Sequence, residues 1–205
     1  MQNITGGRLV AKSLVSESVE HVFGLIGSAG MEIFDGLYDE SSLNFIGVRD
    51  ERTGVHISDG YARASGKPGI FIAGQNGPGV TNLVTGLGQA NAANSPVIAI
   101  AGSLATGHQY RDAFQEVDIS GVTMPITKHS FLVTKPEEIP GVIAAAVHIA
   151  TSGRPGPVLV DVTKDAQQKS APFMWPPEIE LPGYHPVTKA NAKQVQVAAQ
   201  MIAEA

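Results

Sequence analysis

Short, continuous apolar runs alternate with segments of helical period along most of this chain. The runs HVFGLIG, LNFIGV, GIFIAG, PVIAIAG, KHSFLV and GPVLVDV are too short for helices and rich in β-branched or aromatic residues, so they predict strands. The segments GRLVAKSLVSESVE, MEIFDGLYDE, ERTGVHISDGYARAS, GVTNLVTGLGQANAA and PEEIPGVIAAAVHIAT place apolar and small residues at helical spacing, the last with proline near its first turn. Strands without polar alternation are buried on both faces, and each parallel crossover between them carries a helix. The expected fold is therefore α/β: an open, mainly parallel sheet with helices on both faces.

The 205 residues suffice for one domain with its own core and the start of a second. With 43% apolar and 16% charged residues, the composition is that of a folded chain, not a disordered one. The domain is expected to occupy residues 1–165. After DVTKDAQ the texture changes to QKSAPFMWPPEIELPGYHP, which is proline-rich and aperiodic and predicts an extended linker over 166–187. Residues 188–205 predict one amphipathic helix, the first of a further, truncated domain. A formal net charge of -5 and the lack of any long Lys/Arg run argue against a nucleic-acid partner. The absence of cysteine excludes disulfides, thiolate catalysis and cysteine metal sites. MQNITGGRLVAKSL lacks the apolar core of a signal peptide and no run approaches membrane-spanning length, so no membrane partner and a cytoplasmic address are expected.

Open parallel sheets bind ligands beyond the carboxyl ends of their strands, which directs attention to the strand-to-helix loops. These are GSAG at 27–30, RDE at 49–51, GQNGPG at 74–79 and the long, polar GSLATGHQYRDAFQEVD at 102–118. Gly24, Gly27 and Gly30 do not form a dinucleotide fingerprint, so the first loop is read either as a phosphate-facing turn or as one that packs helix on sheet. In the third, Gly77 and Gly79 flank Pro78, which suits close backbone approach to a flat ligand and ordinary turn chemistry equally. Glu51 ends an apolar strand, where burial would raise its pKa and let it share a proton with a ligand nitrogen. Capping its own helix, or pairing with Arg49 or Arg52, is the alternative. The histidines show no metal-ligand spacing, and no metal site is expected in this chain.

Taken together, five collinear stretches resemble a known family: EHVFGLIGSAGMEIFDGLY, VRDERTGVHISDGYARASGKPG, NGPGVTNLVTGLGQA, DAFQEVDISGVTMPITKHSFLV and TSGRPGPVLVDVTKD. From about Gly7 to Asp165 they are similar to the N-terminal, pyrimidine-binding domain of the thiamine diphosphate enzymes of the acetolactate synthase group. The resemblance implies that Glu51 hydrogen-bonds N1′ of the cofactor's aminopyrimidine and so promotes loss of the C2 proton of the thiazolium. It implies further that Gly77, Pro78, Gly79 and Asn82 pack against the pyrimidine, and that Gly27, Ser28, Ala29 and Gly30 line the thiazolium side. Phe114 and Gln115 match a substrate-facing loop, Gln115 with a catalytic part, and Lys128 and His129 match a pair near the substrate entrance. Asp50 and Asn76 stand where the family usually has histidine and serine.

The implied activity is decarboxylation of a 2-keto acid such as pyruvate and transfer of the resulting acyl carbanion to a second carbonyl compound. The family's diphosphate and Mg2+ are held through a GDG motif that this sequence lacks, so the chain would supply half a site. The implied assembly is a homodimer or tetramer in which Glu51 acts in trans, and FAD is a further cofactor possible within the group. A separate pyrimidine-binding subunit of a 2-keto acid decarboxylase, and a non-catalytic module retaining the fold, are the alternatives.

Overall fold

The computed structural model describes residues 2–176, 178–179 and 181–205. Met1, and Pro177 and Glu180 of the expected linker, lie outside the described residues. The chain opens with β1 (Asn3–Thr5), α1 (Gly6–Ser16), β2 (His21–Leu25), α2 (Met31–Tyr38) and β3 (Asn44–Gly47). There follow α3 (Glu51–Ser65), β4 (Gly69–Ala73), α4 (Gly77–Ala93), β5 (Val97–Ser103), α5 (Ile119–Thr123) and β6 (His129–Val133). It closes with α6 (Ile139–Thr151), β7 (Val158–Thr163), α7 (Lys164–Gln168), β8 (Ser170–Pro172) and α8 (Ala192–Glu204). All six strands read from the sequence are present and pair in parallel, in the order β3-β2-β4-β5-β7-β6.

Strand geometry divides the core. In β4, Ile70 and Ile72 point to one face and Phe71 and Ala73 to the other, and in β5 Ile98 and Ile100 oppose Val97, Ala99 and Ala101. The isoleucine face is covered by α1, α2 and α6, through Leu9, Leu14, Ile33, Leu37 and Ile143. The alanine face is covered by α3, α4 and α5, through Val55, Val80, Leu83, Leu87 and Ile119. Small residues on that second face draw α3 and α4 close. A Cβ on Gly54 would fall 2.0 Å from Phe71 Cε2, and one on Gly86 would fall 2.6 Å from Val55. Sequence connection runs from β2 outward to β3 and then back across to β4, which places a topological switch between β2 and β4.

The packed body continues past the expected boundary at Asp165. Lys164–Gln168 form a helical turn with Ala166 and Gln167 fully buried, and β8 pairs antiparallel with β1, Ile4 opposite Ala171. Further on, Tyr184 OH accepts from Lys128 Nζ at 2.8 Å and donates to Ser152 O at 2.9 Å. The partners of Ser170–Pro172 lie at the opposite end of the chain, where no local pattern reveals them. α8, in contrast, has no buried residue. No helix among the described residues is long and apolar enough to cross a membrane.

One acid sits inside the sheet. Asp161, in β7, faces the alanine side opposite Ala101, and is 4% exposed. It borders a small cavity of about 40 Å³ together with Asn76, Ser103 and Asp118. Asp161 Oδ1 and Ser103 Oγ are buried without a hydrogen-bond partner. Burial pushes the Asp161 carboxyl up from 3.8 to about 7. Its folded pKa lies above its unfolded one, so between about pH 4 and pH 7 the folded chain keeps a proton that the unfolded chain has released. Its contribution to stability is therefore fully present below pH 4 and lost as pH rises through about 7. Asp161→Asn should abolish that decline, leaving stability at pH 4 near that of the parent and raising it at pH 8 by up to about 4 kcal/mol. Urea melts across this range check it; parallel profiles for the two proteins would contradict the assignment of a buried neutral acid.

Candidate functional site

The loops after β2, β3, β4 and β5 all leave the same, carboxyl edge of the sheet, and they bring most of the expected residues together. Glu51 is the first residue of α3. Asp50 caps that helix, its Oδ1 accepting from Arg52 N at 2.9 Å and Thr53 N at 3.3 Å, so the capping duty falls to the neighbour of Glu51. Arg52 is likewise taken by Asp50. Glu51 is left free of the surface roles weighed from sequence, and only 7% of it is exposed. Its Oε2 accepts from Asn82 Nδ2 at 2.9 Å, a bond that ties the first turn of α3 to the second turn of α4.

Above this carboxylate the helix α4 has no side chain. A Cβ on Gly79 would lie 3.5 Å from Glu51 Oε1, 3.3 Å from Gln75 Cβ and 3.7 Å from Ala73 Cβ. Glycine at this position keeps the first turn of α4 from placing a side chain against Oε1, which has no hydrogen-bond partner among the described residues. Pro78 lies in the first turn of α4, where its absent N–H leaves no intrahelical bond unmade.

Gly27, Ser28, Ala29 and Gly30 form a tight turn against the β4 loop, across the switch between β2 and β4. Gly30 N donates to Gly74 O at 3.1 Å, and a Cβ on Gly27 would lie 2.6 Å from that same oxygen. Ser28 Oγ donates to Gln75 Oε1 at 3.2 Å. The turn is fixed from below by residues that sequence reading did not single out. Lys164 Nζ donates to Ser28 O at 2.7 Å and Gln167 Nε2 to Ala29 O at 2.9 Å. Neither carried a sequence signal beyond being polar residues in the segment just after β7.

The long loop between β5 and α5 folds back over the start of α4. A Cβ on Gly77 would lie 2.7 Å from Gln115 O, so Gln115 backbone rests directly on the first residue of that helix. Phe114 beside it is 85% exposed. Asp165 holds the near end of this loop, its Oδ1 accepting from Thr106 N at 2.9 Å and Thr106 Oγ1 at 3.0 Å. Asn76, 3% exposed at the N-cap of α4, is a further residue at this edge that entered the sequence reading only as a departure from the family.

Lys128 and His129 are not part of this grouping. They stand at the amino end of β6, the opposite edge of the parallel sheet. Lys128 Nζ donates to the Ile149 and Ser152 carbonyls and to Tyr184 OH, locking the end of α6 to the segment after β8. Within this chain its ammonium is fully engaged by these partners and does not face the Glu51 edge. His129 is exposed and packs edge-on against Phe131 at 4.3 Å between ring centroids. Among the described residues no three or more His, Asp or Glu side chains are grouped as a metal site.

Comparison with known proteins agrees with this geometry. The chain is 45% identical over 204 residues to an acetolactate synthase large subunit of Corynebacterium glutamicum, covering 100% of this chain and 32% of that protein. It is 48% identical over 205 residues to an acetolactate synthase of Mycobacterium bovis, covering 100% and 33%. A probable acetolactate synthase large subunit of Methanocaldococcus jannaschii is 46% identical over 202 residues, covering 97% and 34%. The chain spans about a third of the length of these curated relatives. Residues 4–122, which carry Glu51, Asn82 and the glycine loops, match the family described as thiamine pyrophosphate enzyme, N-terminal TPP binding domain, and the chain belongs to that family.

Proposed function

We propose that this chain is the pyrimidine-binding half of an acetolactate synthase-like enzyme that acts on a 2-keto acid resembling pyruvate. The observation that carries the reading is the state of Glu51: buried, with Oε2 satisfied by Asn82 and Oε1 open toward the gap above Gly79. That arrangement fits an aminopyrimidine, whose flat ring needs a wall without side chains and whose ring nitrogen needs one partner able to hold a proton. When bound, thiamine diphosphate supplies the nucleophilic carbon that takes up the keto acid and the electron sink that lets carbon dioxide leave.

The work of this chain's residues follows from their places. Glu51 Oε1 holds and releases a proton at the ring nitrogen, while Asn82 fixes the carboxylate so that Oε1, not Oε2, faces the ring. Gly77, Pro78 and Gly79 bring the start of α4 against the ring face. The Gly27–Gly30 turn, braced by Lys164 and Gln167, walls the neighbouring side, and Phe114 and Gln115 lie where the keto acid approaches. Magnesium would fall to other domains, since among the described residues no three or more His, Asp or Glu side chains are grouped as a metal site. The resemblance also supports a cytoplasmic homodimer or tetramer in which Glu51 serves a diphosphate held by the partner subunit. Carboligation to a second carbonyl compound is the outcome that the acetolactate synthase relatives support.

In the complete enzyme to which this chain contributes, Glu51→Gln should slow C2 proton exchange of bound thiamine diphosphate by about 100-fold or more, as expected for loss of an acid-base partner. Cofactor affinity should change far less. Exchange at the parent rate, followed by NMR after a deuterium jump, would remove Glu51 from this role. Asn82→Ala, which deletes the donor to Glu51 Oε2, should weaken thiamine diphosphate binding in calorimetric titration more than it lowers the melting temperature. The reverse order would make Asn82 a structural tie between α3 and α4 and nothing more.

A further inference from the structure

The loop between β5 and α5 contains three non-glycine residues in the left-handed region, Tyr110 at φ 61°, Asp112 at φ 53° and Gln115 at φ 61°. L-residues enter that region only when neighbouring contacts hold them there. The contacts here converge on one side chain. Glu116 Oε1 accepts the Tyr110 amide, and Oε2 accepts those of Arg111 at 3.1 Å and Ala113 at 2.9 Å. Both carboxylate oxygens are thereby used, and all three donors belong to the backbone of the loop that precedes Glu116. The Ala113 amide foremost, acting against partial desolvation, and the amides of Tyr110, Arg111 and Asp112 keep the Glu116 carboxyl below the ordinary carboxylate range. The carboxylate is therefore ionised near neutral pH and remains an acceptor on both oxygens.

The residues between donors and acceptor are Phe114 and Gln115. Closing the loop on Glu116 sends Phe114 outward, 85% exposed, and lays Gln115 backbone on Gly77 at the start of α4. We propose that Glu116 is the positioning residue of this loop: by accepting the Tyr110, Arg111 and Ala113 amides it holds Gln115 on the start of α4 and Phe114 outward before the keto acid arrives. The role rests on the function proposed above, since it is the 2-keto acid that these two residues would meet. The acid is needed as such. A glutamine in its place has one acceptor oxygen, and its amide group turns a donor toward donors. An aspartate keeps both acceptor oxygens but falls short by one methylene, and so retains part of the clamp.

The test uses the complete enzyme and compares Glu116→Gln and Glu116→Asp with the parent. Hydrogen exchange should show faster exchange of the Tyr110, Arg111 and Ala113 amides in the Gln variant, with the Asp variant between. Steady-state kinetics should show KM for pyruvate raised by about tenfold or more in the Gln variant and less in the Asp variant. The dissociation constant of thiamine diphosphate should stay within about twofold, because no cofactor contact has been removed. Unchanged exchange overturns the clamp. Faster exchange with unchanged KM overturns its bearing on substrate, and parallel loss of cofactor affinity assigns Glu116 to the cofactor side instead. A parent enzyme that binds no thiamine diphosphate defeats the functional reading and the substrate part with it, while amide exchange still decides whether Glu116 orders the loop.

Discussion

The hydrogen bond from Asn82 to Glu51 is possible only because two helices that follow different strands approach each other at their amino ends. Their approach is set deeper in the domain. Gly54 of α3 lies on the Phe71 ring of β4, where a side chain would lift the helix off the sheet, and Gly86 of α4 lies on Val55 of α3, where one would drive the two helices apart. Such an overlap in a packed core forces strain or backbone shifts of the order of 1–3 kcal/mol. The alanine face of the sheet serves the same end, since Ala73, Ala99 and Ala101 let α4 settle low enough for its first turns to meet α3. A buried carboxylate without a partner is costly, and the glycines place the partner within reach.

Strand order supplies the rest of the edge. Because β2 lies between β3 and β4, the turn at Gly27–Gly30 and the loop at Gly74–Gly79 leave adjacent strands and touch, Gly30 N donating to Gly74 O. The same order keeps β6 at the far margin, with its amino end pointing away from Glu51. Within this chain Lys128 and His129 therefore lie away from the Glu51 edge.

The sheet was legible in the sequence because its strands are continuous apolar runs, and the helices because their small and apolar residues keep a helical period. Glu51 was legible as a position, at the end of LNFIGV, but its role was not. Side-chain geometry alone shows that Asp50, and not Glu51, caps α3. The pairing of β1 with β8 escaped because it joins the two ends of the domain, and three-residue strands have no period to read. Glu116, Lys164 and Gln167 escaped because each acts on backbone groups, and acceptance of an amide leaves no pattern of residue types. Asp161 did leave one, a carboxylate interrupting VLVDVT, which the strand assignment absorbed as part of an apolar run.

Three carboxylates near the carboxyl edge show how surroundings, more than residue type, decide what an acid can do. Glu116 has both oxygens engaged by backbone amides, which favour its ionised form and leave neither oxygen unpaired. Asp161 has an oxygen to spare, but burial keeps it neutral up to about pH 7, and the cavity it borders, about 40 Å³, is too small for an aromatic ring. Glu51 has one oxygen held and the other turned toward a gap walled by Gly79, Gln75 and Ala73. Proton exchange with a ring nitrogen requires a fixed carboxyl group, a free oxygen and space for the ring. Of the three acids, Glu51 alone combines a carboxyl group fixed by a side-chain donor with an oxygen left unpaired, and it does so where α4 begins with glycines in place of side chains.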